Sequence, residues 1–420
     1  MDKFIVKGGV RLRGELEIKG AKNAVLPILA ATLLASKGES VIHNVPDTSD
    51  IRVMLKLLEG LGARVKFESK DHTVVVNAEE IKKFEAPYDL VRKMRASFMV
   101  AGPLLTRFGK AKVSMPGGCA IGARPVDQHI RGFSALGANI KEEHGYIEAT
   151  CERLKGNIVY FDRPTHTGTE NIIMAGTLAD GETTIINAAC DPEIVDLANF
   201  LNLMGAQVYG AGSTLVKVRG VKELRGIEYK PIGDRLEAGT YLFAAIGTRG
   251  DVTVKGVKPQ HLAIVLLKMA DMGAEVDIKG DTIRVKCDSR PCPVNITTFP
   301  YPGFPTDLQP AVMAVLTTAR GTSYVRETVF ENRFLHVMEL MRLGANLEIT
   351  GDKVIVKGVE ELQGAEVMAS DIRAGAGLLI ACMMAQGESN ILRVYHIDRG
   401  YERIDAVLNS IGADVKRVEQ

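Results

Sequence analysis

Apolar positions along the chain fall into two alternating patterns. The first is amphipathic: Ile51, Met54, Leu55, Leu58 and Leu61 return every three to four residues, the spacing of one helix face. A Gly-Ala pair closes this run at Gly62. The same pair closes similar runs at Gly137, Gly205, Gly273, Gly344 and Gly412, at intervals of 68 to 75 residues. The pattern predicts six helices, each ended by a glycine in the left-handed conformation. A strand, a turn and a second strand follow every pair but the last, the second strand standing at 215–218 and 354–356 in two of them. The second pattern is apolar nearly all round: 24–35, 96–105, 172–178, 241–246, 311–316 and 374–384. Such helices belong inside a core. A turn glycine and a strand follow each one, at Gly38, Gly109, Gly181, Gly250, Gly321 and Gly387. The repeat unit therefore reads as two strands, a buried helix, a strand and an amphipathic helix.

The last unit is incomplete, because one strand alone follows Gly412. The missing part stands at the other terminus. Val6-Lys7-Gly8 leading to Leu12-Arg13-Gly14 repeats Val218-Arg219-Gly220 leading to Leu224-Arg225-Gly226, and again Val356-Lys357-Gly358 leading to Leu362-Gln363-Gly364. The expected organisation is one three-repeat domain over 22–229 and a second over 1–21 with 230–420. A chain of 420 residues suits two cores better than one. The chain would cross between the domains twice, leaving a cleft at a double hinge.

Composition narrows the function by exclusion. The net charge of +1 gives no global attraction to nucleic acid or an anionic membrane, so any anion site must be local. The apolar stretches are shorter than the roughly 20 residues that span a bilayer. The first residues lack the apolar core of a signal peptide. The six cysteines show neither disulfide nor zinc spacing, and the expected compartment is the cytoplasm. Asn295-Ile296-Thr297 matches a glycosylation acceptor by chance. P-loop, zinc-peptidase and dinucleotide fingerprints are absent.

Charge gathers at or just before the starts of the apolar helices: Lys22-Asn23, Arg95, Glu170-Asn171, Asp234-Arg235, Thr306-Asp307 and Asp371 with Arg373. Helix N-termini carry partial positive charge and free N–H donors, which suits a phosphate or carboxylate ligand. Capping would account for Asn23, Thr306 and Asp371. It would not account for Lys22, Arg95 and Arg373, whose charge opposes the dipole. The segment 116–125 places Cys119 among three glycines between two prolines, with Arg124 close enough in sequence to lower a thiol pKa. The other five cysteines read as small, buried and inert. Asp191-Pro192-Glu193 reads as an N-cap, first residue and first-turn acid of a helix.

Several segments together carry a family resemblance. They are Gly20-Ala21-Lys22-Asn23-Ala24, Met94-Arg95-Ala96-Ser97, the cysteine loop with Val126-Asp127, Phe304-Pro305-Thr306-Asp307, Thr328-Val329-Phe330-Glu331-Asn332-Arg333-Phe334, and residues 395–404. They resemble the UDP-N-acetylglucosamine 1-carboxyvinyltransferases of the enolpyruvyl transferase family over essentially the whole chain. The resemblance implies a mixed α/β fold: a two-domain inside-out barrel, three βαβαββ-type repeats per domain, with the active site in the cleft. It implies transfer of the enolpyruvyl group of phosphoenolpyruvate to the 3′-hydroxyl of UDP-N-acetylglucosamine in the first committed step of peptidoglycan synthesis. Matching motif to motif, Lys22, Arg124 and Arg399 would grip phosphoenolpyruvate and Arg95 a substrate phosphate. Asn23 and Asp307 would hold the sugar, with Asp307 the base at its hydroxyl. Pro125, Val126, Asp127, Gln128 and Val329 would contact nucleotide or sugar. Arg333, Asp371 and Arg373 would belong to a charged network closing the cleft. Cys119 matches the family's fosfomycin-reactive cysteine, acting either as an acid or by covalent capture of the donor. No metal or organic cofactor is implied, and no oligomer is predicted. Thr165-His166-Thr167 stands where Ser-Val-Gly is common in a uridine diphosphate-contacting loop of the family, and Gln128 where leucine is frequent. The alternatives are a 5-enolpyruvylshikimate-3-phosphate synthase-like transferase, which lacks the cysteine loop, an RNA 3′-phosphate cyclase, for which no catalytic histidine motif appears, and a non-catalytic paralogue or scaffold.

Overall fold

The computed structural model describes residues 2–92, 94–115 and 126–419. These form two compact units, one of 20–115 and 126–232, the other of 2–19 and 233–419. Each unit has its own apolar core. One core draws on Val25 through Leu224. The other joins Phe4, Val6, Leu12, Leu16 and Ile18 to residues from Leu236 to Val415.

Each unit holds three four-stranded sheets built to one plan. Ile158–Tyr160 runs parallel to Glu182–Ile186, which pairs antiparallel with Leu215–Arg219, which in turn takes Gln207–Tyr209 on its far side. Strand residues alternate between buried and exposed, as along Leu215–Arg219, so one sheet face meets the core and the other meets water. The apolar helices lie inside. In Gln309–Leu316 every residue is buried, and in Ile372–Met384 nearly every one is. Helices Arg235–Gly247, Gln309–Leu316 and Ile372–Met384 pack on one another, as the apolar surface around each requires. The result is the expected mixed α/β architecture, with helices within and sheets outside.

The N-terminal segment completes two sheets of the C-terminal unit. Asp2–Lys7 lies antiparallel between Glu388–Leu392 and Asp414–Glu419, and Arg13–Glu17 lies parallel to Asp251–Lys255. In the other unit Glu228–Tyr229 closes the ring of repeats by pairing parallel with Glu39–Ile42.

Glycine geometry explains the repeat signature. All six Gly-Ala glycines take positive φ, from 88° at Gly273 to 111° at Gly205, as the helix-end reading expects. Gly8, Gly220 and Gly358 serve a different need. A Cβ there would lie 1.9, 1.7 and 1.9 Å from the carbonyl oxygens of Ala385, Ala179 and Ala319. The Val-Lys/Arg-Gly motif thus marks where a strand passes against the end of a buried helix. The turn at Gly250 departs from expectation: Arg249 takes the left-handed conformation, at φ 54°, in place of the glycine. The buried helices also start earlier than their apolar runs, at Lys22, His166, Arg235 and Ile372. Among the described residues no helix is long and apolar enough to cross a membrane.

Candidate active site

In the C-terminal unit Arg333 and Arg373 converge on Asp307. A single turn, Thr306–Leu308, opens helix Gln309–Leu316 and places this carboxylate. Asp307 Oδ1 pairs with Arg333 Nη1 at 2.9 Å, and Oδ2 accepts from Arg373 Nε at 3.1 Å. Both arginines are almost fully buried, whereas 26% of the Asp307 side chain faces solvent. Two arginines therefore hold the carboxylate, and part of it still reaches solvent. Arg333 Nη1 also donates to Thr306 Oγ1 at 3.0 Å, and that hydroxyl donates to Glu327 Oε2 at 2.8 Å. Glu327 Oε1 accepts from the backbone N–H of Val329 and of Phe330, which holds the Val329 segment against the same centre. Glu327 is a positioning residue that motif reasoning missed. Its signal was an acid two residues before Val329.

Arg373 stacks over the Tyr401 ring at 5.1 Å. Burial alone would lower its pKa, but Tyr401, Asp307 and Asp234 outweigh that and hold it above the usual arginine value. Asp371 Oδ1 accepts from the backbone N–H of Arg373 and Ala374, so the capping reading holds for Asp371. It fails for Asn23, which lies inside its helix behind Ala21, and for Thr306, which is spent on Glu327 and Arg333. Arg399 ends the two-turn 3₁₀ segment Val394–Arg399 and is half-buried. Glu237 was also missed. Burial, then Asp234, pushes its carboxyl up to about 8, and it accepts from Tyr241 Oη at 2.7 Å.

In the other unit Lys22 is the first residue of Lys22–Ala31, with its Nζ 3.2 Å from Asp50 Oδ2. Both partners are buried. The charge that opposes one helix dipole is thus answered by an acid in the first turn of Ser49–Leu61, a partner the sequence reading did not name. Asn23 is half-buried beside it. Arg95 opens the turn Arg95–Val100, and its charge acts on His129. Burial, then Arg95, lowers the His129 pKa to about 3. Asn171 Nδ2 therefore donates to a neutral ring at Nδ1, 3.1 Å away, and the other ring nitrogen donates to Thr167 Oγ1 at 3.2 Å. Val126 is buried just before helix Asp127–Ala135; Asp127 is exposed, and Gln128 Oε1 accepts from the Asp162 N–H at 3.1 Å. Cys119, Arg124 and Pro125 lie outside the described residues.

Two expectations need correction. Cys292 is exposed and Cys151 and Cys190 are only half-buried, while Cys287 and Cys382 are buried as expected. Burial does raise the thiol pKa of Cys151, Cys190 and Cys287, and that of Cys382 to about 12. Asp191, Pro192 and Glu193 hold the expected N-cap, first and first-turn positions of Pro192–Met204, but the Asp191 side chain makes no capping hydrogen bond and Glu193 is buried.

Two units of three repeats, with charged side chains at the starts of their buried helices, define the enolpyruvyl transferase class. The family model for EPSP synthase (3-phosphoshikimate 1-carboxyvinyltransferase) matches residues 6–408. Solved structures share the fold. The enolpyruvyl transferase NikO from Streptomyces tendae has a TM-score of 0.89 at 24% identity over 99% of both chains. An EPSP synthase from Acinetobacter baumannii has 0.76 at 18% over 100% of both. Curated relatives named UDP-N-acetylglucosamine 1-carboxyvinyltransferase 2 of Carboxydothermus hydrogenoformans and UDP-N-acetylglucosamine 1-carboxyvinyltransferase of Desulfatibacillum aliphaticivorans are 52% and 51% identical, covering 100% of both chains. The chain belongs to the enolpyruvyl transferase family, in its UDP-N-acetylglucosamine 1-carboxyvinyltransferase group.

Proposed function

We propose that this enzyme transfers the enolpyruvyl group of phosphoenolpyruvate to the 3′-hydroxyl of UDP-N-acetylglucosamine and releases phosphate, in the cytoplasm, as a step of peptidoglycan synthesis. The observation that carries the reading is Asp307, fixed by Arg333 and Arg373 while part of its side chain faces solvent. A base needs a fixed orientation toward the proton it removes. The sugar oxygen bonds to C2 of phosphoenolpyruvate as Asp307 takes the hydroxyl proton and C3 gains a proton. The tetrahedral intermediate then loses phosphate from C2 and a proton from C3, restoring the double bond. Lys22, Arg124 and Arg399 neutralise the donor, and Arg95 a substrate phosphate; charge-assisted contacts suit so anionic a ligand. Asn23, Pro125, Val126, Asp127, Gln128 and Val329 contact the nucleotide sugar. Arg333 and Arg373 orient Asp307, and Asp371 holds Arg373 by capping its helix. Cys119 delivers the proton to C3 or captures the donor covalently, and its alkylation makes the enzyme a fosfomycin target.

The test is phosphate release from phosphoenolpyruvate with each of two acceptors. Release with UDP-N-acetylglucosamine and none with shikimate 3-phosphate is expected. The reverse preference would move the enzyme to the shikimate branch, and release with neither would leave a non-catalytic paralogue.

A further inference from the structure

Arg417 lies on the last strand, Asp414–Glu419, directly opposite Phe4, whose ring is wholly buried. Residues paired in this way turn their side chains to one face of the sheet, so a guanidinium stands where an apolar side chain is the default. It stacks over the Phe4 ring at 4.8 Å, with 21% of its side chain exposed. A charge so placed needs partners, and three carboxylates supply them. Arg417 Nη2 and Nη1 donate to Asp398 Oδ1 and Oδ2 at 2.7 and 2.9 Å, a bidentate pair. Nη2 also donates to Asp405 Oδ1 at 3.3 Å, and Nη1 to Asp2 Oδ2 at 3.2 Å.

Two of these acids stand on either side of Arg399. Asp398 precedes it in the segment Val394–Arg399, and Asp405 lies in the first turn of Ile404–Ser410. The backbone here is not one that local preference selects. Arg393 and Arg403, each just before one of those two elements, take the left-handed conformation, at φ 58° and 45°. Residues with a Cβ disfavour it, so the stretch has to be held from outside. Tyr401 has an anchor of its own, a hydrogen bond of 2.8 Å with Thr240 Oγ1. The end that carries Arg399 is the end that Arg417 grips through both oxygens of Asp398.

We propose that Arg417 is a positioning residue for donor binding: by clamping Asp398 and Asp405 to the last strand, it fixes the backbone that carries Arg399. The proposal rests on the reading of Arg399 as a phosphoenolpyruvate contact. Without the guanidinium, three carboxylates that share one cation are left to repel one another, and the stretch around Arg399 shifts. A shift of about 1 Å is enough to weaken a contact that depends on orientation. Lysine is a poor substitute, because a compact ammonium lacks the planar fork that matches both oxygens of Asp398. The nucleotide-sugar contacts come from other segments and are untouched.

The test is steady-state phosphate release by the full chain, with each substrate varied in turn. The variants are Arg417→Ala, Arg417→Lys, Asp398→Asn, Arg399→Ala and the double variant Arg399→Ala with Arg417→Ala. In Arg417→Ala the KM for phosphoenolpyruvate should rise about tenfold or more, with the KM for UDP-N-acetylglucosamine unchanged. Asp398→Asn should raise the same constant, and Arg417→Lys should raise it less than Arg417→Ala does. In the Arg399→Ala background, Arg417→Ala should add nothing, because the side chain it positions is gone. An equal further rise in that background, or a lower melting temperature with an unchanged KM, would overturn the proposal and leave Arg417 a stabilising residue. If Arg417→Ala does not fold, Arg417→Lys and Asp398→Asn decide by the same comparison. A raised KM in Arg399→Ala without one in the Arg417 variants sinks the proposal alone, whereas an unchanged KM in Arg399→Ala removes Arg399 from the anion site and the proposal with it.

Discussion

Asp307 receives two arginines from two different elements, which leaves its carboxylate little freedom to rotate. Asp307→Asn keeps an acceptor for one arginine but removes the base. Turnover is expected to fall ~10²–10⁴-fold while phosphoenolpyruvate still binds, as measured by steady-state phosphate release and equilibrium binding; near-normal turnover would dismiss Asp307 as the base. Arg399→Ala removes one charge-assisted contact, worth about 1.5–3 kcal/mol. The apparent Michaelis constant for phosphoenolpyruvate should rise accordingly, and an unchanged constant would take Arg399 out of the anion site. His129 gives a prediction of another kind. Its folded pKa of about 3 lies below the ordinary 6.5, so between these values the unfolded chain holds a proton that the folded chain refuses. Its contribution to stability is present above pH 6.5 and is lost as pH falls toward 3, by up to about 1.4 kcal/mol per pH unit. Urea melts across that range should show a shallower loss in His129→Gln, and parallel curves would contradict a neutral buried ring.

The helix-ending glycines and the close-approach glycines should differ sharply when substituted. A Cβ at Gly137 meets nothing within 4 Å, so Gly137→Ala has only the left-handed backbone to oppose it, at about 1–2 kcal/mol. A Cβ at Gly220 would lie 1.7 Å from the Ala179 carbonyl oxygen, and relief requires Leu215–Arg219 to shift. Gly220→Ala should cost at least about 3 kcal/mol. Denaturant melts of both variants decide it, and equal losses would mean the strand is not held tightly there. Element types were readable because period and punctuation agree in every repeat. Helix starts were less so, since the apolar runs mark only the buried middles, while the helices begin earlier, at Lys22, His166, Arg235 and Ile372.

The two cores do not share residues, and the N-terminal strands belong to the C-terminal core. A fragment of residues 20–232 should fold alone with a cooperative melt. A fragment of 233–420 should not, because its sheets lack Asp2–Lys7 and Arg13–Glu17. Adding a peptide of residues 1–19 should restore its structure by circular dichroism. A stable 233–420 fragment that ignores the peptide would contradict the pairing.

By itself the sequence determined the repeat, the two kinds of helix, the glycine ends and the motif residues, because periodicity and backbone conformation are local properties. Tertiary structure decided which charges meet. Asp50 answers Lys22, Glu327 holds the Val329 segment, and Arg333 and Arg373 close on one carboxylate. His166 comes to lie between Glu170 and Glu193. Each pairing except that of Glu327 and Val329, two residues apart, and that of His166 and Glu170, neighbours on one helix, joins residues about 25 or more apart. Charge pairs act through distance in space, and spacing along a chain does not report that distance.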